Sequence, residues 1–202
     1  IVPDFIAVDG GEGGTGAAPV EFSNSIGAPL TDGIVIVHNA LQGFGLREQV
    51  KIIASGKIIT GFQIAQRIAA GADLCYAARG FMFSLGCIQA LRCNSNDCPV
   101  GVATQDEGLS QGLVVTQKTQ RVANYHKATV HAFLETLGAA GISHPDSLRP
   151  WHINRRVSET ETKNYAEIFN FLKKDDLLGP DVPESWQGPM SLSSADSFQP
   201  QS

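Results

Sequence analysis

The chain has 202 residues, enough to bury one sizeable core, with 43% hydrophobic residues and a formal net charge of -5. That acidic balance argues against nucleic acid or an anionic membrane surface as the main partner. No run of about eighteen apolar residues occurs, so no stretch can cross a bilayer as a helix; no signal peptide is read, and a cytoplasmic place is the expectation.

The chain opens IVPDFIAVDGG without Met, which reads as the interior of a longer protein. Phe5 to Val8 is a short apolar run with β-branched members and predicts a buried strand. The loop that follows, Asp9 to Pro19, holds five glycines in eleven residues and cannot be a stable helix. It lacks the GK[ST] of a P-loop and a dinucleotide fingerprint. Taken alone, such glycine-rich sequence is a flexible loop. As an active-site loop at the carboxyl end of a strand, it offers Glu12 and Thr15 as the only side chains with chemistry. Between Val20 and Gln42 the pattern is broken by Pro29 and Asp32-Gly33, and Ile34 to His38 reads as a helix start or a short strand. His38 is a weak catalytic candidate against the commoner role of a packed polar residue, and Arg47 to Val50 is expected to end a helix.

Lys51 to Ala54 predicts the second strand, ending in Ser55-Gly56-Lys57, and Phe62 to Ala70 a helix with one apolar face, stopped by Gly71. Asp73 to Tyr76 predicts the third strand, ending in Ala77-Ala78-Arg79-Gly80, and Phe81 to Leu91 a helix that carries Cys87 near its end. Strand, loop and helix in repetition imply parallel strands with crossover helices. Two consecutive turns of small residues, Ser55-Gly56-Lys57 and Ala78-Arg79-Gly80, are placed as the phosphate-binding loops of a (β/α)8 barrel are, with Lys57 and Arg79 as added charge; otherwise they are ordinary turns.

Cys87, Cys93 and Cys98 follow in the spacing C-x5-C-x4-C, with Pro99 after the last. Thiolates are soft ligands that suit iron–sulfur clusters or zinc. A structural zinc wants four ligands, and the nearest additions, Cys75 and His126, lie 12 residues upstream and 28 downstream. Three cysteines in one loop fit a cluster with three protein-bound irons at least as well. A disulfide with a spare thiol, or three buried thiols, are the plainer alternatives, though this is not a cysteine-dense secreted domain. Thr116 to Leu137 predicts a helix, with Val122, Tyr125, Thr129, Phe133 and Leu137 at helical intervals and Gly138 and Gly141 at its end. His126 and His131 on it read as surface or packing residues. Asn164 to Leu172 predicts a short amphipathic helix, and from Gly179 onward Pro, Ser, Gly and Gln predict a disordered tail. The boundaries are thus residues 1–178 for the ordered part and 179–202 for the tail.

Four stretches together resemble the FMN-binding domain of glutamate synthase, and more closely the glutamate synthase-like FMN-binding proteins. They are Val8 to Pro19, Ala54 to Asp73, Ala78 to Cys93 and Cys98 to Asp106. The resemblance covers roughly residues 1 to 175 and implies an α/β fold: the C-terminal portion of a (β/α)8 TIM barrel, about strands six to eight, with an iron–sulfur loop and C-terminal helices. It implies FMN and a [3Fe–4S] cluster as cofactors. Cys87, Cys93 and Cys98 would be cluster ligands. Ser55, Gly56, Lys57, Ala78, Arg79 and Gly80 would line the phosphate site, and Gly11, Gly13, Gly14 and Gly16 would border flavin and substrate. In the family, 2-oxoglutarate and ammonia give 2-iminoglutarate, and reduced FMN transfers a hydride to it to form L-glutamate. Electrons come from ferredoxin or a pyridine-nucleotide-linked subunit. After the PLTDG stretch the family's main branch carries a Glu-Thr pair near the flavin, where this chain has Ile36 and Val37.

Two other readings compete: an FMN barrel of the 2-hydroxy acid oxidase type, without a cluster, and a zinc-stabilised interaction module without flavin. Three strands of an eight-strand barrel would leave open edges, so residues 1–202 alone are expected to bind FMN poorly and to aggregate.

Overall fold

A computed structural model describes residues 2–12, 19–197 and 199. Strand β1 (Phe5–Asp9) is followed by the short helix α1 (Val20–Ser25), then α2 (Leu30–Gly43), β2 (Lys51–Ser55), α3 (Gly61–Ala69), β3 (Leu74–Tyr76) and α4 (Arg79–Leu85). The three strands form one parallel sheet in the order β1-β2-β3, with Asp9 opposite Ser55 and Ser55 opposite Tyr76. Their carboxyl ends are therefore level, and the loops that leave them start side by side.

Side chains alternate across the sheet. One face presents Ile6, Val8, Ile52, Ala54 and Cys75 to a core that also contains Leu30, Ile34 and Val35 of α2 and Ala65 and Ala69 of α3. On the other face Phe5, Leu74 and Tyr76 are more than half exposed. A parallel sheet is ordinarily covered on both faces; on this one Ile53 of the central strand is buried, while the flanking Phe5, Leu74 and Tyr76 are not.

After the cysteine loop come α5 (Glu107–Ser110) and the long α6 (Val115–Ala139), which packs across α3 and α4. A hairpin of β4 (Asn154–Arg156) and β5 (Thr162–Asn164) leads into the single turn α7 (Tyr165–Ile168), and α8 (Glu184–Leu192) lies near the end. The segment after α6 returns to the core through Leu148, Ile153, Tyr165 and Leu177.

Several expectations need correction. Ile34 to His38 lies inside α2, which runs on to Gly43; Arg47 to Val50 forms turns after it rather than a helix end. The helix expected over Phe81 to Leu91 stops at Leu85, because Gly86 takes φ +107 and closes it with its N–H on the Phe83 carbonyl. Cys87 thus sits in the loop and not on a helix. Asn164 to Leu172 is helical only over its first turn; the rest runs extended, where Leu172 N–H donates to Asn39 Oδ1 at 3.0 Å. Within residues 179–197, α8 is an exposed helix with Pro189 inside it.

Candidate cofactor site at the carboxyl ends of the strands

The loop after β1 is described as far as Glu12; Gly13, Gly14, Thr15 and Gly16 lie outside the described residues. Its first part is built by close backbone approach. Gly10 N–H donates to Ser55 O at 2.8 Å and Gly11 N–H to Ala28 O at 2.7 Å. A Cβ on Gly11 would stand 2.7 Å from Gly27 O, so a side chain there is excluded. Glu12 lies at the start of α2: both its carboxylate oxygens accept from Leu30 N–H, at 3.1 and 2.9 Å. That places a negative charge where the helix dipole favours it. Here the catalytic candidate Glu12 holds the opening of a helix.

The loop after β2 turns through two left-handed residues, Gly56 at φ +149 and Lys57 at φ +46. Lys57 is exposed, and holding a lysine in that region costs about 1 kcal/mol. Ser55 is half-buried at the strand end. The loop then closes on itself. Thr60 Oγ1 accepts from Gln63 N–H, and Gln63 Oε1 accepts from Ile59 and Thr60 N–H at 2.8 and 3.1 Å. This capping box satisfies the Gln63 N–H of α3 and the Thr60 N–H that precedes the helix.

The loop after β3 differs. Ala78 precedes α4 in a helical conformation and supplies no side-chain cap. Arg79, half-buried, opens the helix, and Gly80 is buried. What buries Gly80 is Tyr125 of α6: a Cβ there would be 2.7 Å from Tyr125 Cζ and nearer still to its hydroxyl. The Tyr125 hydroxyl donates to Ile59 O at 2.6 Å, and its ring meets Phe81 edge-on at 5.1 Å. Sequence periodicity identifies Tyr125 as a core-facing residue but not this target.

All four cysteines are free. Cys87 and Cys93 share a narrow crevice with Arg79, Met82, Gln89 and Leu91, so Arg79 borders both the β3 loop and the cysteine loop. Gln89, Leu91 and Asn96 are left-handed, and the loop is tied by its own side chains: Arg92 to Asp97 at 3.0 Å, and Asn96 Oδ1 accepting from Gln105 N–H at 2.8 Å. Cys98 is buried. Burial pushes its thiol up, but backbone N–H groups of Ala103, Val100, Val102 and Gly101 outweigh it and hold Cys98 below the usual thiol range. Gln89 N–H points at Cys87 Sγ at 3.5 Å. Amides aimed at sulfur stabilise thiolate and suit the iron–sulfur chemistry of the donor set. Among the described residues, no three or more His, Cys, Asp or Glu side chains are gathered around a single-ion site. By contrast, burial raises Cys75 to about 12, which makes it an inert core thiol.

The amino ends of the strands are organised differently. Arg47 donates to Val50 O at 3.1 Å, to Gly71 O at 2.8 Å, to Asp73 Oδ2 at 2.8 Å and to His38 Nδ1 at 3.1 Å. Burial, and then the Arg47 charge, lower His38 to about 4 and keep it neutral. A cavity of about 510 Å³ opens beside it, walled in part by Leu148, Trp151 and Phe171. On α2, Ile36 is 55% exposed and Val37 packs against the core.

The profile of a conserved region in glutamate synthase matches residues 2–143. The chain belongs to the glutamate synthase family. It is 46% identical over 168 residues to the glutamate synthase large subunit-like protein YerD of Bacillus subtilis, covering 83% of this chain and 32% of that protein. Against the archaeal glutamate synthase [NADPH] of Methanocaldococcus jannaschii it is 42% identical over 146 residues, 72% of this chain and 29% of the relative. The ferredoxin-dependent glutamate synthase 2 of Synechocystis is 39% identical over 108 residues, 54% of this chain and 7% of that enzyme. The chain spans about a third of the length of the first two of these glutamate synthase relatives. Among the described residues, no helix is long and apolar enough to cross a membrane.

Proposed function

We propose that this chain is the flavin-phosphate and iron–sulfur part of a cytoplasmic glutamate synthase-type oxidoreductase that reduces 2-iminoglutarate, formed from 2-oxoglutarate and ammonia, to L-glutamate. Its sheet supplies strands six to eight of a (β/α)8 barrel. The exposed apolar face of Phe5, Leu74 and Tyr76 is then the barrel interior, and β1 is the edge at which earlier strands join. The observation that carries the reading is the adjacency of two pieces. Arg79, at the mouth of an α4 start without a side-chain cap, lines the same crevice as Cys87 and Cys93.

Lys57, Arg79 and the amides of the loops after β2 and β3 bind the FMN phosphate. Cationic side chains and backbone N–H groups neutralise its charge and fix its position. Gly11 to Gly16 border the flavin and substrate, and Thr15 is the catalytic candidate among them. Cys87, Cys93 and Cys98 hold the [3Fe–4S] cluster, and the amides around Cys98 favour its thiolate. When bound, FMN supplies hydride chemistry and the cluster supplies single electrons. Relatives named for NADPH and for ferredoxin support either as the source of electrons. Ile36 and Val37, where the main branch has polar residues, favour a substrate close to but distinct from 2-iminoglutarate as the second reading.

The deciding experiment is an absorption spectrum of the full-length protein with iron and acid-labile sulfide counts. Flavin bands with about three irons per chain are expected, and Cys98→Ser should lose the iron. Flavin without iron would reduce the cysteines to packing residues and favour chemistry of the 2-hydroxy acid oxidase type. Zinc without flavin would leave a structural relative.

A further inference from the structure

Helix α6 runs behind both phosphate loops. Its residues 132–133 lie so near the start of α3 that a Cβ on Gly61 would be 2.8 Å from the Ala132 carbonyl carbon and 2.9 Å from Phe133 Cα. Two turns earlier on α6, Tyr125 reaches the loop after β2 through its hydroxyl and the start of α4 through its ring. The sheet register between the two strands ends at the pair Ser55 with Tyr76, before either loop begins. Beyond that pair, Tyr125 touches both the residues just after Lys57 and the residue just after Arg79.

We propose that Tyr125 is a positioning residue of the flavin phosphate site, setting the distance between the Lys57 loop and the Arg79 loop. The inference rests on the FMN reading above. The Ile59 carbonyl lies two residues from Lys57, and the hydroxyl bond to it fixes that loop from behind. Gly80 has no side chain because the phenol occupies the space one would need. The phenol therefore serves both as a hydrogen-bond anchor for one loop and as a steric stop for the other. A ligand that bridges the two loops, as a phosphate does, feels their separation; a ligand without a phosphate does not.

The test compares FMN with riboflavin, which has the same ring and no phosphate, by quenching of flavin fluorescence on titration into the full-length apoprotein. Tyr125→Phe removes the hydroxyl alone and should weaken FMN by about threefold to tenfold while riboflavin is unchanged. Gly80→Ala should weaken FMN further, and the double variant Gly80→Ala/Tyr125→Phe should recover part of that loss, because the clash is with the hydroxyl first. Equal weakening of both ligands, or no weakening in either variant, would overturn the positioning role. A wild-type protein that binds riboflavin as tightly as FMN would overturn the phosphate site itself, and the inference with it.

Discussion

The two ends of β2 and β3 are built on opposite plans. At the amino ends, charge is consumed internally. Arg47 is held by two carbonyls, a carboxylate and an imidazole, and Asp73 also accepts from Ile52 N–H at 2.7 Å. At the carboxyl ends, the backbone takes left-handed turns at Gly56 and Lys57, and α4 starts without a side-chain cap. A closed network locks the strands in register. An irregular, cation-bearing rim is suited to hold something the chain does not itself contain. The difference supports the proposal made above, with stability at the amino ends and binding at the carboxyl ends, the division found in (β/α)8 barrels.

The separation can be broken from either side. The largest effect is expected at Asp73. Asp73→Ala strands the Arg47 guanidinium and the Ile52 N–H, and should cost about 4 kcal/mol in a urea melt while FMN affinity of the folded protein stays the same. A loss of flavin affinity would mean the two ends are coupled. Next comes acid. His38 has a folded value of about 4 against an ordinary 6.5, so the folded state binds fewer protons. Its contribution is whole above pH 6.5 and is lost as pH falls from 6.5 towards 4, by about 3 kcal/mol at most. A stability profile that stays flat over that interval, or one that His38→Gln does not flatten, would remove His38 from the network. At the carboxyl end, Arg79→Gln should weaken FMN about thirtyfold, or about 2 kcal/mol, with riboflavin affinity and melting little changed. A melting loss as large as that of Asp73→Ala would make Arg79 a structural residue.

Much of this plan was legible in the sequence where a single period dominates. β1, β2 and α3 follow from apolar runs and spacing, and α6 from its long helical stripe. Legibility failed where a distant contact decides. The register of Asn39 against residues 170–172 pulls Phe169 to Leu172 out of helix, and nothing local announces it. β4 and β5 are three polar residues each, without alternation, and pair only because the chain folds back. Gly86 did carry a stop signal, which the apolar run across it concealed. At the site, the residue types after each strand pointed to the loops. The capping box at Thr60 and the reach of Tyr125 to Ile59 depend on three-dimensional neighbours. Glu12 was legible as a charged residue in a glycine loop, but its partner, Leu30 N–H, is 18 residues away.

Asn39 is the buried polar residue of α2, 4% exposed, and its amide donates to Asn170 O at 2.7 Å and accepts from Leu172 N–H at 3.0 Å. Its side chain thus behaves as one more peptide unit for a segment made 131 residues later. During synthesis this delay is on the order of ten seconds. Until it ends, the amide must stay in water, so the face of α2 around Asn39 and Gly43 cannot close, and Leu177 has not arrived to cover Gly43. The helical layer over the sheet is therefore sealed by residues 170–177, made long after α2, and a nascent chain stalled before residue 170 presents an unsealed core to chaperones and proteases.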